Sequence, residues 1–400
     1  MFEIEGKYTN AKIFTDNIEE GALKQVYNIC NHIAFKDSQV RIMPDVHKGK
    51  GICIGFTAKM GNKVIPNVVG VDIGCGVLCV NLGNMKLKEI NLEKLDDFIK
   101  NNIPSGFSGY AEKQYELTNY EREICNKIGM NAQKQARKLG TLGGGNHFIE
   151  VDVDEANNKY LLIHSGSRNF GYKIAKYWQE KADEEFEDKR QRERQKLINK
   201  LKEQNREREI ESRLKQFNSQ YKVPKQLRYL EGKNKKNYTM DMHIAQLYAE
   251  TNRLVIGNKI MNYLGMNLND IGYINTTHNY IGEDEIIRKG AVSANKEEKL
   301  IIPLNMKEGA LLCEGKGNPD WNFSAPHGAG RKMSRTQAKK EIELEKFKND
   351  MKDIYSTSIN KSTLDEAPDA YKNKMHITEN LEQTVEIKKV LTPIYNYKDN

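Results

Sequence analysis

The sequence predicts an α+β fold, in which residues 1–400 form a single catalytic domain of mixed β-sheets flanked by helices. Short β-rich runs alternate irregularly with stretches whose apolar residues recur at helical spacing. No internal repeat divides the chain, and no linker rich in Pro, Gly or Ser is present. Residues 178–236 depart from this pattern because Lys, Arg, Glu and Gln dominate them. They predict a charged helical insertion that projects from the domain.

The elements are justified in chain order by periodicity and by residues that start or stop them. Asp16 is a plausible N-cap for the first helix, and Pro44 is expected to end the first strand. The stretches with helical spacing are 16–30, 92–101, the polar 111–138, the thin apolar stripe in 178–217, and 238–254. The β-rich runs are 39–43, 52–57, 64–80, 147–151, 160–164, the strands within 284–314, and 390–395.

The composition predicts a cytoplasmic protein with a substantial core. Hydrophobic residues make up 38% and charged residues 30% of the chain. No run of 18 apolar residues exists and the N-terminus lacks a signal pattern, so neither a membrane partner nor export is expected. The six Cys are scattered, which is typical of free thiols in a reducing compartment. The net charge of +8 weakly favours a polyanionic partner.

A Gly-rich turn within residues 67–79 combines one carboxylate and one thiol. Asp72 and Cys75 are three residues apart, so a single turn can direct both side chains to the same point. The surrounding glycines allow positive φ and close approach. A carboxylate and a thiolate directed together repel each other unless a cation lies between them. We therefore interpret the turn as half of a metal site.

Histidines supply the other half of the predicted site. Three of the eight, at 32, 243 and 376, lie in helical or polar surroundings and are treated as structural or surface residues. The remaining five lie beside Gly, Asn or Ser where apolar runs break, and such strand ends commonly build sites. These five are His47, His147, His164, His278 and His327.

The candidate metal ligands are Asp72, Cys75, His147, His164 and His278. They lack the close Cys and His spacing of a structural zinc site, and scattered ligands are more typical of a catalytic metal. A thiolate can bridge two cations, so the set also suits two ions. Thiolate favours zinc, whereas imidazole and carboxylate also suit manganese, iron or cobalt. The residues alone leave the ion open.

The segment 324–335 has a different character. His327 is followed by small residues and then by Arg331 and Arg335. If Gly330 opens a helix, the two arginines share one face and the helix N-terminus can hold a phosphate, with His327 as nucleophile or acid. A Gly-rich turn before a basic helix without such a role is the alternative. The chain has no P-loop motif and no GxGxxG fingerprint after a first strand.

Taken together, these segments resemble the RtcB family of RNA ligases along nearly the whole chain. Each motif is weak alone, but their combination and order are specific. The matching motifs are 43–51 (MPDVHKGKG), 70–76 (GVDIGCG), 143–148 (GGGNHF), 164–168 (HSGSR), 278–280 (HNY), 288–291 (RKGA) and 327–331 (HGAGR).

The resemblance implies a ligase that uses GTP and Mn²⁺, with two ions. Such enzymes join RNA 2′,3′-cyclic phosphate or 3′-phosphate ends to 5′-hydroxyl ends through a guanylylated histidine and an RNA-(3′)pp(5′)G intermediate, in tRNA splicing or RNA repair. His327 matches that histidine, and Asp45 and His47 match a motif lining the site. The family's metal ligands match the five candidates above.

The resemblance also assigns the nucleotide and phosphate contacts. The positions that contact the nucleotide match Asn146, His147, Phe148, Glu150, Asn305, His327, Gly328, Ala329, Gly330, Tyr371 and Lys398. The basic positions that act on phosphate match Arg168, Lys289, Arg331 and Arg335. The expected partners are GTP and RNA ends such as those of tRNA halves. The protein is expected to be a monomer. Whether an archease-type activator is needed stays open.

The chain departs from the family at residues 302–307, where many members have a Gly-Ser-Met-Gly turn that touches the nucleotide. Asn305 is the expected replacement for the serine. Two other functions remain: a metal-dependent phosphodiesterase or phosphatase with the same ligands, and a non-catalytic RNA-binding factor. A ligase is expected to become labelled by GTP, whereas the phosphodiesterase or phosphatase is not. The non-catalytic factor is expected to tolerate the loss of Cys75, whereas a ligase is not.

Overall fold

The computed structural model describes residues 1–84 and 90–399; residue 400, the predicted end of the domain, lies outside them. The strands are β1 Phe2–Glu5, β2 Asn10–Ile13, β3 Val40–His47, β4 Ile54–Lys59, β5 Lys63–Val64, β6 Gly76–Gly83, β7 Phe148–Val153, β8 Lys159–Ser165, β9 Leu230–Glu231, β10 Ile274–Thr277, β11 Asn279–Ile281, β12 Ile286–Lys289, β13 Ala291–Ser293, β14 Lys299–Pro303, β15 Ala310–Gly315, β16 Ser324–Pro326 and β17 Val385–Tyr397.

The helices differ widely in length. They are α1 Glu20–Cys30, α2 Pro66–Val69, α3 Leu92–Asn102, α4 Asn119–Lys127, α5 Ala132–Ala136, α6 Arg168–Glu203, α7 Ile210–Gln220, α8 Gly232–Tyr263, α9 Leu268–Ile271, α10 Arg335–Glu341, α11 Leu344–Asp350 and α12 Lys374–Thr378. Short 3₁₀ turns lie at Ile33–Phe35, Glu207–Glu209, Lys225–Leu227, Pro319–Trp321, Lys361–Glu366 and Pro368–Ala370. The α+β class is confirmed. None of the described helices is both long and apolar enough to cross a membrane.

Two larger sheets organise the molecule. One has the strand order β1-β2-β3-β4-β12-β11, and the other β10-β6-β8-β7-β17-β15-β14. The edge strands of the second sheet approach each other, because Ile301 N donates a 3.0 Å hydrogen bond to Thr276 Oγ1. The sheet is therefore nearly closed. Its interior is filled by apolar side chains, namely Val77, Cys79, Phe148, Tyr160, Leu162, Ile301, Ala310 and Leu391.

The outer faces of the sheets are covered by helices. The long helix α8 packs Ile256, Ile260 and Met261 against the outside of the nearly closed sheet. It also contributes Tyr238 and Met242 to the core shared with the first sheet. Because one helix contributes to both cores, it holds the two sheets in a fixed relation. The site described below lies where they meet.

Several element boundaries differ from the predictions for physical reasons. The helix predicted from Asp16 begins at Glu20, because Asn17 N turns back to the Thr15 hydroxyl at 3.0 Å. The strand predicted to end at Pro44 continues to His47, and its register shifts between Ile42 and His47. A proline is tolerated at such a bulge because no ladder hydrogen bond is required of it.

The charged segment is helical, but its first helix starts earlier than predicted. Helix α6 begins at Arg168 rather than near 178, and its buried side chains Phe170, Ile174 and Trp178 lie one turn apart. Beyond Phe186, Leu201 is the buried residue that α6 still contributes. The chain then returns to α8 through α7 and the 3₁₀ turn at Lys225–Leu227. The outer part of α6 is therefore a solvated helix that continues directly from the site.

Candidate active site

The turn between α2 and β6 brings Asp72 and Cys75 together as predicted. Cys75 N donates to Asp72 O at 3.3 Å, and Gly74 adopts φ +75°. The neighbouring Gly76 lies against β10, where an added Cβ would be 2.2 Å from the Thr276 carbonyl oxygen. The turn therefore requires glycine at both positions, and it presents the carboxylate and thiol at one end of the nearly closed sheet.

The three candidate histidine ligands converge on the same end of that sheet. His147 immediately precedes β7, His164 lies near the end of β8, and His278 separates β10 from β11. Strand pairing brings them together, because His164 is opposite both Val77 and Phe148 in the neighbouring strands. His278 is fastened to the turn by a 2.9 Å hydrogen bond from its backbone N–H to Cys75 O.

The ligand atoms form a continuous row. Cys75 Sγ lies 3.4 Å from His147 Nε2 and 3.2 Å from His164 Nε2. The ligand atoms of these three buried residues all lie within 4.8 Å of one another. Since N and S ligands bind transition metals at about 2.0–2.3 Å, this cluster can hold a metal ion.

Asp72 and His278 extend the row on opposite sides. Asp72 Oδ2 lies 3.1 Å from His147 Nε2, and His278 Nε2 lies 3.4 Å from His164 Nε2. The Asp72 carboxylate also occupies the space where a Cβ at Gly166 would stand, 2.1 Å from Oδ1. All five predicted ligands are thus neighbours in space.

Burial sets the protonation of the cluster. It lowers the pKa values of His164 and His278 well below the usual histidine range, so both imidazoles are neutral near pH 7. His164 Nδ1 lies 3.1 Å from Asn146 O and must be the protonated nitrogen there, which leaves the Nε2 lone pair free for a metal. Burial, followed by the charge of Asp72, raises the pKa of the Cys75 thiol well above its usual value.

An arginine missed by the sequence analysis lies behind the ligand turns. Arg253 on α8 is fully buried, and its guanidinium Nη1 donates to Gly74 O at 2.8 Å and to Ser165 O at 2.9 Å. Its Nε donates to the Asn275 side chain at 2.8 Å. Burial lowers its pKa to about 10, so it stays charged at neutral pH. One cation therefore fixes two ligand-bearing segments.

His327 lies at the other end of the histidine row. Its ring centroid is 5.0 Å from that of His278, and its backbone follows β16. The Asp45 carboxylate, which is fully buried, accepts from His327 Nδ1 at 2.6 Å and from the His327 backbone N–H at 3.1 Å. Because Nδ1 carries the donated hydrogen, the lone pair of the neutral ring is on Nε2.

A cavity of about 730 Å³ opens beside His327 and His164. Its walls include the predicted nucleotide-contacting residues other than His147. These are Asn146, Phe148, Glu150, Asn305, His327, Gly328, Ala329, Gly330, Tyr371 and Lys398. The cavity is large enough for a nucleotide-sized ligand.

Comparison with known proteins gives a match over most of the chain. The family model described as tRNA-splicing ligase RtcB matches residues 25–131 and 126–399. The chain is 30% identical to the RNA-splicing ligase RtcB of Escherichia coli strain K12, covering 89% of this chain and 88% of that protein. It is 27% identical to the tRNA-splicing ligase RtcB of Aeropyrum pernix, with 83% and 82% covered.

The chain belongs to the RtcB family. The resemblance deduced from the motifs is therefore confirmed at the level of the family. The cluster that can hold a metal, the His327–Asp45 pair and the cavity are features of an RtcB chain, and the remaining predicted residues can be located relative to them.

Two of the residues predicted to contact the nucleotide, Tyr371 and Lys398, belong to one hydrogen-bonded network at the cavity wall. Lys398 Nζ donates to Asn146 O at 3.2 Å and lies 3.3 Å from Glu366. Tyr371 donates its hydroxyl hydrogen to Glu366 at 2.6 Å. Burial raises the pKa of Glu150 to about 7, and the side chain of Asn396 donates to its carboxylate.

Glu366 was not recognised from the sequence although it links Tyr371 and Lys398. It also accepts from Arg331 at 3.3 Å and from Arg335 at 2.8 Å. Burial opposes its ionisation, but the surrounding cations, led by Lys398 and Arg335, lower its pKa to about 2. Two of these cations, Arg331 and Arg335, were predicted to act on phosphate. Because they surround Glu366 only in the folded chain, the sequence alone gave no sign of its role.

The helix predicted to open at Gly330 begins at Arg335 instead. Arg331 lies before it in a β-bridge with Tyr371, because Gly330 adopts φ +71° and lies against the Asp45 backbone. The two arginines still converge, but they do so through Glu366 rather than on one helical face. The expected phosphate site at that helix N-terminus is therefore wrong in its geometry.

The other two predicted cations have different surroundings. Arg168 adopts φ +57° at the start of α6, and its Nη1 lies 3.3 Å from His147 Nδ1. Lys289 donates to the carbonyl oxygens of Lys50 and Asn67 at 3.2 and 3.0 Å. Burial lowers its pKa to about 8.

Two residues of the site behave differently from the simplest prediction. His47 lines the cavity, and burial lowers its pKa to about 4. Asn305 also lines the cavity, but its Oδ1 accepts from the backbone N–H groups of Lys307 and Glu308, each at 3.0 Å. The side chain predicted to replace the family serine therefore stabilises its own loop.

Proposed function

We propose that this protein is a GTP- and Mn²⁺-dependent RNA ligase. It would join RNA 2′,3′-cyclic phosphate or 3′-phosphate ends to 5′-hydroxyl ends, in tRNA splicing or RNA repair. The observation that carries the proposal is the juxtaposition of His327 with both the metal-binding row and a nucleotide-sized cavity. The names of the relatives, RNA-splicing and tRNA-splicing ligases, support the reaction class.

The donor set fits two manganese ions, which these five residues would hold. Asp72, Cys75 and His147 would hold one ion, and Cys75, His164 and His278 the other. The row of contacts between 3.1 and 3.4 Å, which brings all five donors next to one another, supports metal binding by this set. Bound Mn²⁺ supplies Lewis-acid charge that neutralises phosphate oxygens.

His327 is the proposed nucleophile. Its Nε2 lone pair attacks the α-phosphorus of GTP, a P–N bond forms, and the bond to the β-phosphate oxygen breaks to release pyrophosphate. Asp45 Oδ2 accepts the hydrogen bond of Nδ1 at an N–O distance of 2.6 Å, so it orients the ring and stabilises the positive charge that develops on it. Asp45 is therefore a positioning residue.

End joining follows in two transfers. An RNA 3′-phosphate oxygen attacks the guanylyl phosphorus, the P–N bond breaks, and RNA-(3′)pp(5′)G forms. The 5′-hydroxyl oxygen then attacks the RNA 3′-phosphorus and GMP leaves. A cyclic phosphate must first be hydrolysed to a 3′-phosphate. Arg168, Lys289, Arg331 and Arg335 are the proposed cations that neutralise charge during these steps.

Arg168 is suited to this role by its contact with His147. The guanidinium can donate to Nδ1 only while that nitrogen carries no hydrogen. A metal held at Nε2 would leave the hydrogen on Nδ1, so Arg168 would lose this acceptor. Its guanidinium would then be available to an RNA phosphate.

The test is incubation with GTP labelled at the α-phosphate, with and without manganese. A ligase yields acid-labile, alkali-stable label on the protein that is lost in His327→Ala. Absence of label with every metal tried would instead favour the phosphodiesterase or phosphatase function, which needs no covalent histidine.

We also propose that residues 1–400 act as one catalytic domain with the charged insertion at 178–236, as a cytoplasmic monomer. The described cysteines are all free and buried, which supports a reducing compartment. Light scattering after gel filtration tests the oligomeric state. The labelling assay with purified protein tests whether an archease-type activator is required.

A further inference from the structure

Phe107 lies on the loop between α3 and α4 with its side chain entirely in solvent. It is 102% exposed, more than any other large apolar residue in the described part of the chain. A single exposed apolar residue is common on protein surfaces and by itself indicates no function. Its surroundings distinguish this one.

The loop that presents Phe107 is firmly held on both sides. Before it, Ser105 donates its hydroxyl hydrogen to the Asp399 carboxylate at 2.6 Å. After it, Tyr110 N donates to Arg137 O at 2.9 Å. The ring is therefore exposed on an anchored backbone, which lowers the entropy lost when a flat ligand stacks on it.

The same loop contacts the metal-binding row through one guanidinium. Gly106 O accepts from Arg168 Nη2 at 3.3 Å, while Nη1 of the same side chain lies 3.3 Å from His147 Nδ1. Phe107 is thus adjacent in sequence to a residue that shares Arg168 with a predicted metal ligand. The loop that carries the ring therefore lies at the rim of the site rather than on a remote surface.

Three cations lie around the end of the loop that carries Phe107. Lys138 donates to the Phe107 carbonyl oxygen, and Arg137 beside it is exposed. Lys259 Nζ lies 4.1 Å from the centroid of the Tyr110 ring. The Asp399 carboxylate nearby is hydrogen-bonded to Ser105. A backbone of phosphates would therefore be attracted to this rim.

We propose that Phe107 is a stacking platform for a nucleobase of the RNA strand, close to the end that reacts. The inference rests on the proposed ligase function and adds a strand-binding subsite to it. Cations that follow the phosphates and an aromatic ring that accepts a base are the two parts of single-strand recognition. Since every base has a flat face, the contact tolerates any sequence.

The experiment measures binding of a 3′-phosphorylated RNA oligonucleotide with 2-aminopurine at each of its last few positions. Stacking on Phe107 quenches the fluorescence at one position, and anisotropy gives the affinity. Phe107→Ala and Phe107→Leu are expected to weaken binding about tenfold and abolish that quenching, whereas Phe107→Tyr retains both. Phe107→Leu is the matched variant, because it keeps an apolar side chain without an aromatic face.

The control variant is Tyr27→Ala, which removes another exposed aromatic side chain from α1 and should bind RNA as the wild type does. Unchanged affinity and quenching in Phe107→Ala would overturn the proposal and would indicate that the ring contacts a protein partner instead of RNA. An equal loss in Tyr27→Ala would overturn it too.

The proposed ligase function and the stacking subsite fail in different ways. GTP labelling should proceed at the wild-type rate in every Phe107 variant, since Phe107 is not part of the cavity wall. Absence of label and of joined product in the wild type would refute the ligase. The RNA-binding comparison needs no GTP and still tests Phe107 by itself.

Discussion

The imidazole of His327 lies 5.0 Å from that of His278, centroid to centroid. Had the two rings been far apart, a nucleophile at residue 327 could not act on a phosphate held by the metal-binding row. Their proximity is the geometric basis of the predictions about His327 and the candidate metal ligands.

Replacing Asp45 tests the positioning of His327. Asp45→Asn should slow GTP labelling about a hundredfold, because an amide can donate to Nδ1 and so favour the tautomer with hydrogen on the attacking Nε2. The rate of label incorporation measures the effect. Nucleotide affinity, measured by equilibrium dialysis, should change little, and a parallel loss of both would argue for a role in binding instead.

Replacing Cys75 tests the metal-binding row. Cys75→Ala should abolish end joining and lower the manganese bound, because its sulfur is the atom shared between His147 and His164. Metal analysis beside the ligation assay gives both results. Cys79→Ala, which removes a buried thiol from the sheet interior, is the control and should keep its metal. Full activity in Cys75→Ala would refute the site assignment.

Manganese affinity should increase with pH. The Cys75 thiol is protonated in the metal-free protein because burial raises its pKa, whereas His164 and His278 are neutral already. Binding to the thiolate therefore releases about one proton, and affinity should rise about tenfold per pH unit below that pKa. Calorimetry in two buffers of different ionisation enthalpy counts the protons. An affinity independent of pH would exclude the thiolate as ligand.

Replacing Arg331 should weaken guanylylation more than folding. In Arg331→Ala, Glu366 keeps its contacts with Arg335 and Lys398, so the loss of stability should be modest, about 1–2 kcal/mol. Labelling should decline by at least tenfold if Arg331 contacts the nucleotide. A thermal melt beside the labelling assay separates the two effects, and Arg331→Lys shows whether charge alone suffices.

The buried carboxyls of β7 should make the metal-free protein less stable as the pH rises. Burial raises the pKa of Glu150 to about 7 and that of Asp152 well above its usual value. Between the ordinary carboxyl range and these values, the folded state retains protons that the unfolded chain has lost. The free energy of unfolding therefore falls by about 1.4 kcal/mol per pH unit for each retained proton.

Asp152→Asn should flatten this dependence and stabilise the protein at pH 8, because the amide cannot ionise. Urea unfolding between pH 5 and pH 8 measures it. Asp154→Asn is the matched control, since burial opposes ionisation of Asp154 but hydrogen bonds led by Lys389 lower its pKa overall. If the slope of Asp152→Asn equalled that of the wild type, the assignment of the retained protons to this pair would be wrong.

Many of the residues that the fold brings together at the site could be predicted, because local sequence patterns identify them. The spacing of Asp72 and Cys75 in a Gly-rich turn indicated a shared target, and the breaks after apolar runs identified His147, His164 and His278. Arg253 was also within reach, since it follows the buried face of α8 that Ala249 and Ile256 define. A charged residue on such a face requires an explanation.

Other features depend on contacts between segments far apart in the chain. Glu366 lies in a short 3₁₀ turn with no periodic signal, and its importance follows only from the cations that surround it. The helix also starts at Arg335 rather than at Gly330 because of a contact between distant segments. Gly330 is held against Asp45, nearly 300 residues earlier in the chain.

Local chemistry along the chain was enough to predict the α+β class, the RtcB family and a set of five candidate metal ligands and His327 that the fold brings together, because motifs and turn residues act over a few positions. The folded molecule decided how these groups face one another: Asp45 orients His327, Arg253 joins two ligand turns, and Glu366 gathers the cations. Such relations arise only when β3, α8 and the segment before β17 pack together, so no short stretch of sequence contains them.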